Sequence, residues 1–103
     1  MAFVALEKLH ALYDGYRRVV RVAGRELLLI QEEGRVYLLA NRCPHMDAPL
    51  HKANICREVL RCPHHGMAFD LRSGRPLGTA AACVAPLDFV PLVYEGNSLG
   101  VDL

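Results

Sequence analysis

Two short segments carry the residue types best suited to a soft or borderline metal: Cys43-Pro44-His45 and Cys62-Pro63-His64-His65-Gly66. The pattern is Cys-x-His, sixteen residues, then Cys-x-x-His, which brings Cys43, His45, Cys62 and His65 forward as candidate ligands. Thiolate sulfur and imidazole nitrogen both suit iron and zinc. A proline follows each cysteine, fixing φ and removing an N–H. Gly66 closes the second segment and allows the backbone to turn closely past a bulky inorganic group. The two segments read as matching loops that meet around one metal centre.

Structural zinc sites usually draw their ligands in pairs of like residues, Cys-x(2–4)-Cys or His-x(3–5)-His. Here each arm supplies one cysteine and one histidine, which suits a two-iron cluster better. Two cysteines can hold one iron and two histidines the other. Replacing two thiolates by neutral imidazoles removes negative charge from one iron, so reduction costs less and the potential rises above that of an all-cysteine cluster.

The elements that must position these loops read as short strands and tight turns. Phe3 to Leu9 is expected as an opening strand, Asp14-Gly15 as a turn, and Tyr16 to Val22, rich in Val, as a second strand. Ala23-Gly24 and Glu33-Gly34 separate it from Arg25 to Gln31 and from Arg35 to Ala40, giving two hairpins in sequence. The run Leu27-Leu28-Leu29-Ile30 is too short to argue for a helix. Residues 41–55 show no periodicity. Strands over Glu58 to Arg61 and Met67 to Leu71 bracket the second ligand pair, with a turn at Ser73-Gly74. Leu77 to Pro86 reads as irregular. Phe89 to Tyr94 and Ser98 to Asp102 form a last hairpin around Glu95-Gly96-Asn97, with Pro91 marking an edge or bulge. The class is all-β, one domain over residues 1–103, with a pair of loops inserted between strands.

Composition removes several functions. The 103 residues are 52% hydrophobic and 22% charged with a formal net charge of +1, and Lys and Arg form no block, so nucleic-acid binding is not indicated. No run of eighteen apolar residues marks a membrane span, and no secretory leader is seen. The cytoplasm is the expected compartment. Of the four cysteines, Cys56 and Cys83 have no histidine at ligand spacing and are read as core or surface thiols.

The segments Cys43-Pro44-His45-Met46-Asp47-Ala48-Pro49-Leu50 and Cys62-Pro63-His64-His65-Gly66-Met67-Ala68-Phe69-Asp70 resemble the two cluster-binding boxes of Rieske iron–sulfur proteins. Leu71-Arg72-Ser73-Gly74 is similar to the stretch after the second box in soluble Rieske ferredoxins. The resemblance implies a Rieske-type antiparallel β-sandwich with a small cluster-binding subdomain, made of two loops over about residues 41–70. It implies one [2Fe-2S] cluster, with Cys43 and Cys62 on the inner iron and His45 and His65 on the outer, solvent-facing iron. His64 falls on a spacer position. The respiratory-complex branch has an extra cysteine in each box, at the positions of Ala48 and His64, and cluster-bonding hydroxyls at those of Met67 and Phe69. Their absence here resembles the ferredoxin branch and implies a potential at the lower end of the Rieske range. The exposed rim of the cluster is expected to comprise Pro44, Met46, Pro49, Leu50, His64 and Met67.

The remaining candidates have plainer readings. His10 is a surface residue, His51 a solvated loop histidine, and Asp47 and Asp70 loop and turn residues bonding backbone N–H groups. Tyr13, Tyr16, Tyr37 and Tyr94 are sheet and rim aromatics, and Arg17, Arg18 and Arg21 a solvated basic face. With no nucleophile–base pair, no phosphate loop and no room for a mononuclear-iron domain, the chain is expected to carry electrons rather than to catalyse. The resemblance implies a flavin-dependent reductase as donor and a terminal oxygenase as acceptor. A small subunit of a nitrite-reductase-type enzyme and a zinc-binding interaction module are the competing readings.

Overall fold

A computed structural model describes residues 2–44, 48–63, 66–78 and 84–102 of the chain. In order, the strands are β1 (Phe3–Lys8), β2 (Arg17–Val22), β3 (Arg25–Glu32), β4 (Arg35–Ala40), β5 (Asn54–Cys56), β6 (Val59–Arg61), β7 (Ala68–Asp70), β8 (Pro76–Leu77), β9 (Val93–Glu95) and β10 (Ser98–Asp102). One 3₁₀ turn, Leu9–Ala11, follows β1. They pair into three antiparallel sheets ordered β1-β10-β9, β2-β3-β4 and β5-β6-β7-β8.

β3 lies at the centre, and its apolar run explains why. Leu27, Leu28, Leu29 and Ile30 are all buried, and alternate side chains of a strand point to opposite faces. Leu28 and Ile30, with Leu39 of β4, pack against Leu50, Leu60, Phe69 and Leu71 of the third sheet and its loops. Leu27 and Leu29, with Leu38 of β4, pack with Val20, Val22, Leu99 and Val101 beneath the first sheet. A strand covered on both sides needs no polar alternation, which is why the run is continuous. The middle sheet thus separates two cores, one of which leads to the ligand loops.

The expected hairpins are present. Their two-residue turns have both residues at positive φ, 51° and 79° at Ala23-Gly24 and 51° and 78° at Glu33-Gly34, the twist that matches antiparallel strands. Two strands escaped the sequence reading. β5 lies within a stretch with no periodicity, and β8 is only two residues long. The strand expected over Phe89 to Tyr94 is shorter. Phe89 makes a single bridge to Leu39, Pro91 has no N–H to continue a ladder, and regular pairing resumes at Val93. β1 and β10 pair closely, and an ideal Cβ on Gly100 would collide with the Val4 carbonyl oxygen.

Candidate metal centre

The ligand loops leave the ends of regular strands. The first runs from β4 to β5, the second from β6 to β7. Each closes on its cysteine in the same way. The Cys43 N–H donates to the Ala48 carbonyl at 2.7 Å, and the Cys62 N–H to the Met67 carbonyl at 2.8 Å, in both cases five residues on. The second loop is tightened further by Gly66, whose N–H donates to the Cys62 carbonyl at 2.9 Å with φ at +66° and open space where a side chain would stand. Two loops of the same closure on adjoining strands turn two thiols into one core.

Cys43 and Cys62 are 0% and 1% exposed and belong to one buried cluster with Leu28, Leu39, Leu50, Leu60 and Phe69. Two thiols brought to one apolar wall, each at the mouth of a loop, suit the protein side of an iron–sulfur group, which needs thiolate donors and a dry flank. His45 and His65 lie outside the described residues, as do His64, Met46, Asp47 and Cys83.

Three side chains hold the loops on the scaffold: Asn41 and Arg61, which sequence reasoning did not single out, and Arg17, which it placed on a solvated face. Asn41, 6% exposed, accepts the Leu50 N–H at 2.8 Å through Oδ1 and donates from Nδ2 to Glu26 Oε1 at 2.9 Å. Its Nδ2 also stands 3.4 Å from His51 Nδ1. Arg17 donates to the carbonyls of His51 and Ala53, tying β2 to the end of the first loop. Arg61 donates to the Gly66 carbonyl at 2.9 Å, bracing the second. The only signal in the sequence was position, Asn41 and Arg61 each standing within two residues of a ligand cysteine.

Several expectations need correction or refinement. Leu50 is fully buried, so it belongs to the core and not to the exposed rim; its N–H is held by Asn41 and its side chain packs with Leu60 and Phe69. Arg17 is a strut and not part of a solvated face, while Arg18 and Arg21 pair with Glu7 and Glu26 at 3.3 and 3.1 Å. Asp70 behaves as expected, accepting from the Arg72 N–H at 3.0 Å and the Ser73 hydroxyl at 3.2 Å. His10, His51 and Cys56 are exposed. Tyr13 and Tyr94 sit at the rim, whereas Tyr16 is buried edge-on to Tyr13. Tyr37 packs beside Phe89 in the core that holds the cysteines, and burial, ahead of the nearby Glu58 charge, raises its phenol above the ordinary value.

A family model for the Rieske [2Fe-2S] domain matches residues 2–88. The chain belongs to the Rieske [2Fe-2S] family. Membership implies one [2Fe-2S] cluster, and the buried cysteine pair fits it. The ferredoxin component of the alkene monooxygenase system of Xanthobacter autotrophicus is 33% identical over 87 residues, 84% of this chain and 69% of that one. Among solved structures, the ferredoxin of carbazole 1,9a-dioxygenase from Nocardioides aromaticivorans superposes with a TM-score of 0.79 at 30% identity, covering 98% of this chain and 97% of that one. Apoptosis-inducing factor 3 of Homo sapiens is 36% identical over 63 residues, so the Rieske chain spans 61% of its own length there but 10% of that protein's. Among the described residues no helix is long and apolar enough to cross a membrane.

Proposed function

We propose that this chain is an electron carrier, taking one electron at a time from a flavin-dependent reductase and delivering it to a terminal oxygenase through a Rieske [2Fe-2S] cluster. The observation that carries the reading is the matched pair of loops that delivers Cys43 and Cys62 to one buried wall. Ferredoxin components among its relatives support the same role. The cluster, when bound, supplies a one-electron redox couple; everything else falls to the protein. Cys43 and Cys62 would hold one iron, and His45 and His65 would hold the other, within a proposed cluster-binding subdomain of about residues 41–70. The apolar wall of Leu28, Leu39, Leu60 and Phe69, packed with both cysteines, would keep water from the thiolate side of the cluster. The proposed compartment is the cytoplasm, where unpaired thiols such as the exposed Cys56 stay reduced.

The ligand assignment is tested by the visible spectrum of single variants. Cys43→Ser and His65→Ala should lose or badly damage the iron–sulfur bands, and His64→Ala should retain them. A colourless His64→Ala beside a coloured His65→Ala would exchange the two histidines.

A further inference from the structure

Charge is unevenly divided along the chain. Residues 41–78 hold six Lys and Arg against three Asp and Glu, while the remainder holds six against eight. The cations are also used differently. On the middle sheet Arg18, Arg21 and Arg25 each meet a carboxylate within 3.3 Å. On the third sheet Arg72 pairs with Glu58 at 3.4 Å, but Arg57, Arg61 and Arg75 meet no carboxylate among the described residues.

Register gathers these unpaired arginines on one face. Leu60 and Phe69 are paired and point into the core, so Val59, Arg61, Ala68 and Asp70 turn outward. Asn54, Arg61, Ala68 and Leu77 form one row across the sheet, and Leu77 is 41% exposed. Cys56, Val59 and Asp70 form the next row, continued by Arg75, whose carbonyl accepts the Asp70 N–H. Arg57 stands in the turn between β5 and β6, beside a hollow of about 270 Å³ that it shares with Arg61. The carboxylates beside these arginines are already engaged, Asp70 by the Arg72 N–H and the Ser73 hydroxyl and Glu58 by the Arg72 guanidinium. Arg61 adjoins Cys62 and donates to Gly66, so the positive face begins at the second ligand loop itself.

We propose that this face docks a protein partner presenting carboxylates around a small apolar patch. The proposal rests on the electron-carrier reading and adds the chemistry of the surface that the carrier meets. Guanidinium groups that meet no internal carboxylate are available for charge-assisted bonds to carboxylates of a partner, and opposite charge speeds encounter without requiring a tight complex. Val59, Ala68 and Leu77 between the cations supply the apolar centre of a small, transient interface. A phosphate backbone is a poorer fit, because the chain as a whole is +1 and its cations are interrupted by these apolar residues.

Two soluble electron acceptors of opposite charge test it: an acidic plastocyanin, whose copper goes from Cu(II) to Cu(I), and a basic cytochrome c, whose haem goes from ferric to ferrous. Each takes one electron from the chemically reduced holoprotein, followed by stopped flow. The plastocyanin rate should fall about tenfold or more from low to high salt, and the cytochrome c rate should not. Arg57→Glu/Arg75→Glu, which spares the Arg61 brace, should slow plastocyanin and speed cytochrome c. Lys8→Glu/Arg35→Glu, on the other sheets, should change neither by more than about twofold. An intact iron–sulfur spectrum with a salt dependence favouring cytochrome c, or rates indifferent to Arg57 and Arg75, would overturn the docking proposal alone. So would binding to phosphatidylserine vesicles that the double variant abolishes while the plastocyanin rate stays unchanged. A colourless wild-type protein would overturn the electron-carrier reading and the docking proposal with it.

Discussion

Asn41 is joined to Glu26 twice: its backbone N–H donates to the Glu26 carbonyl at 3.0 Å, and its side-chain Nδ2 to the Glu26 carboxylate at 2.9 Å. The same side chain accepts the buried Leu50 N–H. One residue therefore fixes the start of the first ligand loop to β3 and the end of the loop to its start. Asn41→Ala should destabilise the protein by about 1–3 kcal/mol, because it leaves the Leu50 N–H buried without an acceptor. Urea unfolding of the holoprotein measures the loss, and an unchanged midpoint would remove Asn41 from its role as a strut.

Gly100 answers a different constraint. A methyl group there would collide with the backbone of Val4 at the pairing of β1 with β10, and backbone cannot step aside as a flexible side chain can. Gly100→Ala should cost about 1–3 kcal/mol or more and unzip the first sheet. Amide hydrogen exchange should show early loss of protection in β1 and β10 with β3 and β4 still protected. Wild-type protection throughout would contradict the close approach.

Acid should loosen the same sheet. Glu7 accepts the Tyr16 hydroxyl at 2.6 Å, then the Lys8 N–H, and Arg18 stands at 3.3 Å. The Tyr16 bond foremost holds the Glu7 carboxyl below its ordinary value of 4.5. Asp14 is lowered likewise, by Gln31 first and then by the Gly34 N–H. With folded-state values below those of the unfolded chain, the unfolded chain binds more protons in acid. The stabilisation is full above the ordinary carboxylate values and is lost as pH falls through the folded ones. Unfolding midpoints measured from neutral pH down to about pH 2.5 should therefore decline below about pH 4.5, and Glu7→Gln should flatten part of that decline. A Glu7→Gln profile parallel to wild type would exclude Glu7 as a source.

Potential is the next measurable consequence. Phe69 is fully buried in the cluster of residues that holds Cys43 and Cys62, and half-buried Met67 packs on it. Neither offers a hydroxyl to cluster sulfur, so the potential should lie low in the Rieske range, at roughly −150 mV on a scale reaching about +300 mV. Phe69→Tyr and Met67→Ser should each raise it, because an added O–H bonds sulfur most strongly when reduction has increased its charge. Protein-film voltammetry measures both shifts. A wild-type value well above zero would contradict this reasoning.

The strands around β3 were legible because their turns carry Gly at fixed offsets and their apolar residues alternate or run together. The cysteine boxes were legible because ligand chemistry demands particular residue types at particular spacing. β5 and β8 were not, since three- and two-residue strands have no period to detect and exist through pairing with β6 and β7. Leu50 was misplaced because it lies in a stretch with no periodicity to give its face, and its place is shown by the Asn41 bond to its N–H and its packing in the core. Arg17 was misread for a related reason. Its partners are backbone carbonyls of His51 and Ala53, more than thirty residues away, and carbonyls leave no trace in side-chain composition.

Iron, acid-labile sulfide and reducible electrons per chain, measured together on the purified protein, bear most directly on the carrier role. Two irons, two sulfides and one electron per chain are expected for the single [2Fe-2S] centre of this family, with loss of all three in Cys62→Ser. One zinc per chain, or iron without sulfide, would contradict it.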